Sequence, residues 1–182
     1  MIKIRRLRVN KFVIVGVEST GKSQTSEEAA AHFDAWLVPE YARTYLDVLT
    51  GNYTYNDFLN IVKGQAQVED EAVEKVGEDQ VIIFDTDFIV IHIWAEIVFG
   101  KIDPYITERL NNQKERIYFL MSPEVTWIDD GMREYPELKT RIDIHQKYID
   151  LLEELSLMYF VISGTDYDKR TEEVIRIISE IK

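Results

Sequence analysis

Cysteine is absent from the 182 residues. That excludes a disulfide, a thiolate metal site and a cysteine nucleophile. No run approaches the roughly 18 apolar residues that a membrane-spanning helix needs. The basic opening MIKIRRLRVNKF is followed by no apolar segment of signal length. With 4 prolines and 8 glycines there is no Pro/Gly-rich linker, and neither a repeat nor a low-complexity stretch interrupts the chain. A single domain over 1–182 is therefore expected. Cations are in the minority. Lys and Arg number 21 against 33 Asp and Glu, a net charge of -12, with a pI near 4.7. Such a balance argues against nucleic acid or an anionic membrane as the main partner. What is present in quantity is apolar side chain, 46% of residues, enough for a substantial core. A cytoplasmic protein is the expectation; composition sets no oligomeric state.

The chain is organised around KFVIVGVESTGKS, residues 11–23. A β-branched apolar run, Phe12 to Val15, ends at Gly16. Gly16, Val17, Glu18, Ser19, Thr20, Gly21, Lys22 and Ser23 then match G-x-x-x-x-G-K-[ST] at every fixed position. The two glycines let the backbone turn so that successive N–H groups point at phosphate oxygens. Lys22 reaches the β- and γ-phosphates and the Ser23 hydroxyl suits Mg²⁺. The helix that begins around Gln24 turns its positive end toward the same anion. ATP and Mg²⁺ are the implied ligands. As a plain strand-to-helix turn, the segment leaves the joint placement of Lys22 and Ser23 unexplained.

Five short apolar runs read as buried parallel strands: Phe12–Gly16, Trp36–Pro39, Gln80–Phe84, Ile117–Met121 and Tyr159–Ile162. Helical patterns alternate with them: Ser23–Phe33, Glu40–Leu49, Thr54 (as N-cap) to about Val76, Phe88–Phe99, Tyr105–Lys114, Asp129–Leu155 and Asp168–Ile181. Alternation of this kind predicts an α/β fold, a doubly wound sheet of five mainly parallel strands with helices on both faces. Ligands in such sheets sit beyond the carboxyl ends of the strands, which singles out the residues following each one.

Asp85 follows the third apolar run, where P-loop proteins hold Mg²⁺. Asp87 is a second candidate there for metal or hydroxyl, and either acid would also serve as a helix N-cap. Thr86 stands where motor ATPases carry a water-activating Glu, and no Asn-Lys-x-Asp follows the loop, so phosphotransfer to an organic acceptor is favoured over hydrolysis. Glu40, with Tyr41 and with Arg43 one turn on, stands where an acceptor hydroxyl would lie; the carboxylate would orient or deprotonate it. A surface ion pair is the plain alternative. Trp127, Asp130 and Arg133 fall in a stretch, about 127–142, suited to a basic lid whose arginine covers the transferring phosphoryl. Trp127 reads equally as a buried structural residue. Tyr167 and Arg170, after the fifth run, are placed to stack on adenine. The stripe Ile89, Ile93, Ile97 reads as core, and the three histidines have no ligand spacing.

Taken together, GVESTGKS, EYAR, FDTDF and WIDDGMR resemble the ribosylnicotinamide kinase domain of NadR-type proteins, and equally the stand-alone NadR-like P-loop ATP-binding domains. Order and spacing agree from Phe12 to about Arg170. The resemblance implies a P-loop kinase fold, ATP with Mg²⁺, and phosphorylation of a nucleoside-like 5′-hydroxyl. Two residues depart from it. Pro39 occupies the place of an aromatic that would stack on the nicotinamide ring, and Glu71 or a neighbour that of a second stacking Tyr. The H-x-G-H motif of the adenylyltransferase part of NadR is missing. The alternative reading is an ATP- or GTP-binding regulatory module without acceptor chemistry.

Overall fold

The computed structural model describes residues 10–49, 52–77, 80–113, 115–127 and 135–182. Five strands form one sheet: β1 (Lys11–Gly16), β2 (Trp36–Val38), β3 (Ile82–Asp85), β4 (Arg116–Met121) and β5 (Met158–Ile162). Their order is β2-β3-β1-β4-β5 and every pairing is parallel. Val38 pairs with Phe84, Ile14 with Asp85, Gly16 with Met121, and Met121 with Ile162. All five carboxyl ends therefore come out along one edge. β1 lies between β3 and β4, where the winding reverses, so the loop after it opens onto the crevice favoured for ligands.

Alternation along the strands divides the core. Val13, Val15, Phe84, Tyr118 and Leu120 pack on one face, under α3 (Tyr55–Lys75), α4 (Phe88–Trp94), α5 (Pro104–Asn111) and α6 (Leu138–Glu154). Phe12, Ile14, Ile83, Phe119 and Met121 turn to the other, under α1 (Lys22–Phe33) and α7 (Tyr167–Ile181). Each such side chain, removed fully from water, contributes about 1.5–3 kcal/mol. The short α2 (Tyr41–Asp47) follows β2.

Local chemistry explains the boundaries. Thr54 and Asp57 form a reciprocal capping box that starts α3. Asp103 caps α5 just before Pro104. Two helices differ from the sequence reading. α6 begins at Leu138 and 135–137 are not helical, so the helix expected over Asp129–Leu155 is not continuous; 129–134 lie outside the described residues. The helix expected over Phe88–Phe99 is regular only to Trp94 and continues as a π-helical turn, Ala95–Phe99. Such turns rotate side chains out of register and recur at functional sites. No described helix is long and apolar enough to cross a membrane.

Candidate active site

The phosphate-type loop joins β1 to α1. Gly21 has φ 83°, and a Cβ there would come within 2.6 Å of the Tyr167 ring, so the ring at the start of α7 closes over the loop. Ser19 also takes a left-handed conformation, φ 60°. The Val17 carbonyl accepts hydrogen bonds from Thr20 Oγ1 at 2.7 Å and from Lys22 Nζ at 2.9 Å. Burial lowers the Lys22 pKa, while Glu40, Asp85 and Glu18 hold it up. Gln24 is exposed on α1 and donates to Glu28.

Asp85, at the end of β3, is 6% exposed. Burial raises its pKa, and the nearby Ser23 hydroxyl opposes the rise. Its Oδ1 is buried without a partner. The next residue, Thr86, has φ 69°, a conformation that a β-branched residue resists. The twist separates two acids. Asp85 meets the loop, whereas Asp87 is fully buried elsewhere. Asp87 Oδ1 accepts the Ile89 N–H at 2.9 Å, capping α4, and Oδ2 accepts from Arg116 at 3.0 Å and Tyr118 at 2.9 Å. Both oxygens are occupied. The reading of Asp87 as a metal or hydroxyl group is corrected: it is a cap and an ion-pair partner.

Glu40 precedes α2 and reaches the same cleft as Lys22. Desolvation raises its pKa; Lys22 and Arg43 oppose that. Arg43 Nε donates to Glu40 Oε2 at 3.1 Å. Tyr41 does not line the cleft: its ring lies on Gly64 of α3, and its N–H donates to Gln65 Oε1 at 2.9 Å. Beyond Glu40 and Arg43 the cleft is walled by Tyr53, Ile93, Trp94, Ile97, Ile144 and Tyr148. Trp94 Nε1 donates to the Tyr53 hydroxyl at 3.1 Å, and the two rings meet edge to face at 5.3 Å. Ile93 and Ile97 thus border a ligand-sized space as well as the core. Pro39 is exposed and outside the wall.

Trp127 Nε1 donates to Glu18 Oε1 at 3.0 Å, and the same oxygen accepts the Tyr135 N–H. One carboxylate of the loop ties down the residues on both sides of 128–134. Asp130 and Arg133 lie outside the described residues. Arg141 is buried and donates to the Val125 carbonyl, so it serves the framework. So does Arg170. At 1% exposure, its guanidinium donates to the carbonyls of Ser122 and Ile162 at 2.9 and 3.2 Å, which leaves no face open for stacking on a base. The sequence reading missed the Tyr53–Trp94 wall. A Trp in a largely apolar helix was its trace, and a cleft wall has the composition of a core.

The AAA domain family model matches residues 11–170. The chain belongs to the AAA domain family. This AAA domain also resembles the trifunctional NAD biosynthesis/regulator protein NadR of Escherichia coli (strain K12), with 25% identity over 183 residues covering 98% of the chain. It spans 44% of that relative's length. Among solved structures, NadR protein in complex with NAD and AMP-PNP superposes with a TM-score of 0.77 at 21% identity, over 95% of this chain and 50% of that one. Thymidylate kinase from Candida albicans gives 0.67 at 14% identity, over 95% and 92%. The fold of the AAA domain is that of the P-loop kinases, and the resemblance to NadR extends through both sequence and fold.

Proposed function

We propose that the protein transfers the γ-phosphoryl group of ATP, with Mg²⁺, to the hydroxyl of a small nucleoside-like acceptor. The supporting observation is that Lys22 and the partly buried carboxylate of Glu40 share one cleft with an aromatic far wall. In this reading Lys22 and the loop amides hold the β- and γ-phosphates, and Tyr167 borders the nucleotide from α7. Mg²⁺ suits Ser23 and Asp85, because Asp85 Oδ1 is a buried oxygen without a partner beside the Ser23 hydroxyl. No group of three or more His, Asp or Glu among the described residues could hold a metal. An ion there would complete its shell with water and phosphate oxygens, as Mg²⁺ does. When bound it supplies charge neutralisation across the phosphates.

Glu40 accepts the hydroxyl proton as the acceptor oxygen bonds to the γ-phosphorus. The bond to the β–γ bridging oxygen breaks and ADP leaves. A carboxylate here favours a hydroxyl over a phosphate acceptor, which needs no base and would be repelled. Arg43 holds Glu40 in place. Arg133 is assigned to the transferring phosphoryl, and Asp130 and Trp127 to the acceptor, from the resemblance and their place in sequence, since 128–134 lie outside the described residues. The deciding experiment is a panel of nucleosides and ribosides with ATP, nicotinamide riboside included, followed by ADP release. An acceptor-dependent rise supports the kinase. Tight ATP binding with no rise for any acceptor replaces it with a nucleotide-binding regulatory module.

The Glu40 pKa has a consequence for pH. The base must be ionised, and burial raises its pKa above 4.5. Activity should therefore fall with acidification at a higher pH than an ordinary glutamate would cause. In Glu40→Gln that acid limb should vanish along with most of the activity. A limb that survives Glu40→Gln belongs to another group.

The aromatic wall can be tested against position 39. Trp94→Leu keeps an apolar filling but removes the flat surface. It should raise the acceptor Michaelis constant by roughly tenfold, the order of one aromatic contact, with little change for ATP. Pro39→Trp should leave both constants within about twofold, because Pro39 is outside the wall. The reverse pattern would put the acceptor's base at the end of β2, as the resemblance to NadR implies.

A further inference from the structure

The first peptide N–H of α2 lies directly after Glu40, and Glu40 itself makes no side-chain cap. That N–H is satisfied from another helix, by the buried Gln65 of α3, which is 2% exposed. Gln65 spends its other end on the same framework: Nε2 donates to Glu69 Oε1 at 3.1 Å. Glu69 Oε2 accepts from Arg116 Nη2 at 2.8 Å and Gln113 Nε2 at 3.2 Å. Arg116 Nη1 continues to Asp87, two residues beyond Asp85. One buried chain of hydrogen bonds thus joins the turn that presents Glu40 to the turn that presents Asp85. A second contact adds to the clamp. A Cβ at Gly64 would come within 2.1 Å of the Tyr41 ring, so only glycine lets that ring settle on α3.

We infer that Gln65 is a positioning residue for Glu40, holding the base at the acceptor hydroxyl by gripping the Tyr41 N–H. The inference rests on the reading of Glu40 as proton acceptor. The amide's orientation is set by its partners: the oxygen faces an N–H, and the nitrogen faces a carboxylate held by Arg116. A glutamine is suited to the task because it accepts at one end and donates at the other within one buried side chain. An apolar residue of the same length would leave the Tyr41 N–H unsatisfied and α2 free to shift. Misplacing a catalytic group by about 1 Å can cost up to a hundredfold in rate.

The test is steady-state kinetics with ATP and nicotinamide riboside, or with the fastest acceptor of the nucleoside panel, on Gln65→Met, Gln65→Glu, Glu40→Gln and the Glu40→Gln/Gln65→Met double variant. Gln65→Met should lower kcat roughly tenfold or more while the Michaelis constant for ATP stays within about twofold. Gln65→Glu should recover most of that loss, since a protonated carboxyl beside Glu69 can make the same two hydrogen bonds. It also covers the case in which Gln65→Met does not fold. On the Glu40→Gln background, Gln65→Met should cost almost nothing more, because the group it positions is gone. Additive losses, no effect of Gln65→Met, or failure of Gln65→Glu to recover turnover would overturn the inference. If Glu40→Gln alone retains turnover, the assignment of Glu40 fails instead, and that single variant separates the two failures.

Discussion

Lys22→Ala is expected to reduce turnover by roughly a hundredfold or more. The ammonium lies within the loop, bonded to the Val17 carbonyl and flanked by the charges of Glu40, Asp85 and Glu18. Removing it takes the loop's cation away from the point where phosphate charge must be bound and leaves Arg43 to offset those carboxylates. Charge compensation at a phosphoryl-transfer site is worth on the order of 3 kcal/mol, which sets the expected loss in rate. Affinity for ATP should fall as well, since the same cation faces the ground-state phosphates. Single-turnover ADP formation together with an ATP-binding titration measures both quantities. Near-normal turnover would remove Lys22 from the mechanism.

The largest effect on stability is expected from Arg116→Met. Arg116 is 7% exposed, and its guanidinium bridges Glu69 and Asp87, both wholly buried. It also lies over the Phe84 ring, 4.1 Å from its centre. Burial drives both carboxyl pKa values up and Arg116 opposes the rise. Methionine fills much of the volume but leaves Asp87 in the core without its cation and Glu69 with the more distant Arg109, 3.7 Å away. Breaking a buried pair in this way costs about 3–5 kcal/mol, readable as a lower urea midpoint with an unchanged slope. The sign of the pH dependence follows. In the variant both acids have folded pKa values well above their unfolded ones, so the folded state holds more protons than the unfolded chain. Its stability then falls as pH rises through that interval, and the deficit relative to the parent should be smaller near pH 5 than near pH 8. A deficit below about 1 kcal/mol at neutral pH would show that the bridge can be replaced by packing alone.

The geometry of the phosphate-type loop was legible in the sequence. The loop from Gly16 to Ser23 is contiguous, so its spacing is its geometry. The strands are short apolar runs whose parallel pairing follows from the helices between them. Thr54 with Asp57, and Asp103 with Pro104, mark helix starts because capping acts over three residues. Glu40 and Asp85 were legible as strand-end carboxylates, a rule that needs only the order of the elements. The rest depends on contacts between distant residues. Asp85 and Asp87 are equivalent on paper; the left-handed turn at Thr86 sends one to Ser23 and the other to Arg116, which lies 29 positions away. Arg170 appears in sequence as a free cation beside a nucleotide site, yet it is buried under the ends of β4 and β5, holding their carbonyls. Gln65 and Glu69 look like solvated positions in a polar helix, and become interior because α3 packs against β2, β3 and the helix that follows Glu40, while the Arg116 side chain reaches in from β4. The cleft wall of Tyr53 and Trp94 was hidden for a related reason. Apolar side chains that line a pocket and those that fill a core share one hydrophobic pattern, and only the packing of α3, α4 and α6 above the sheet leaves some of them facing a space.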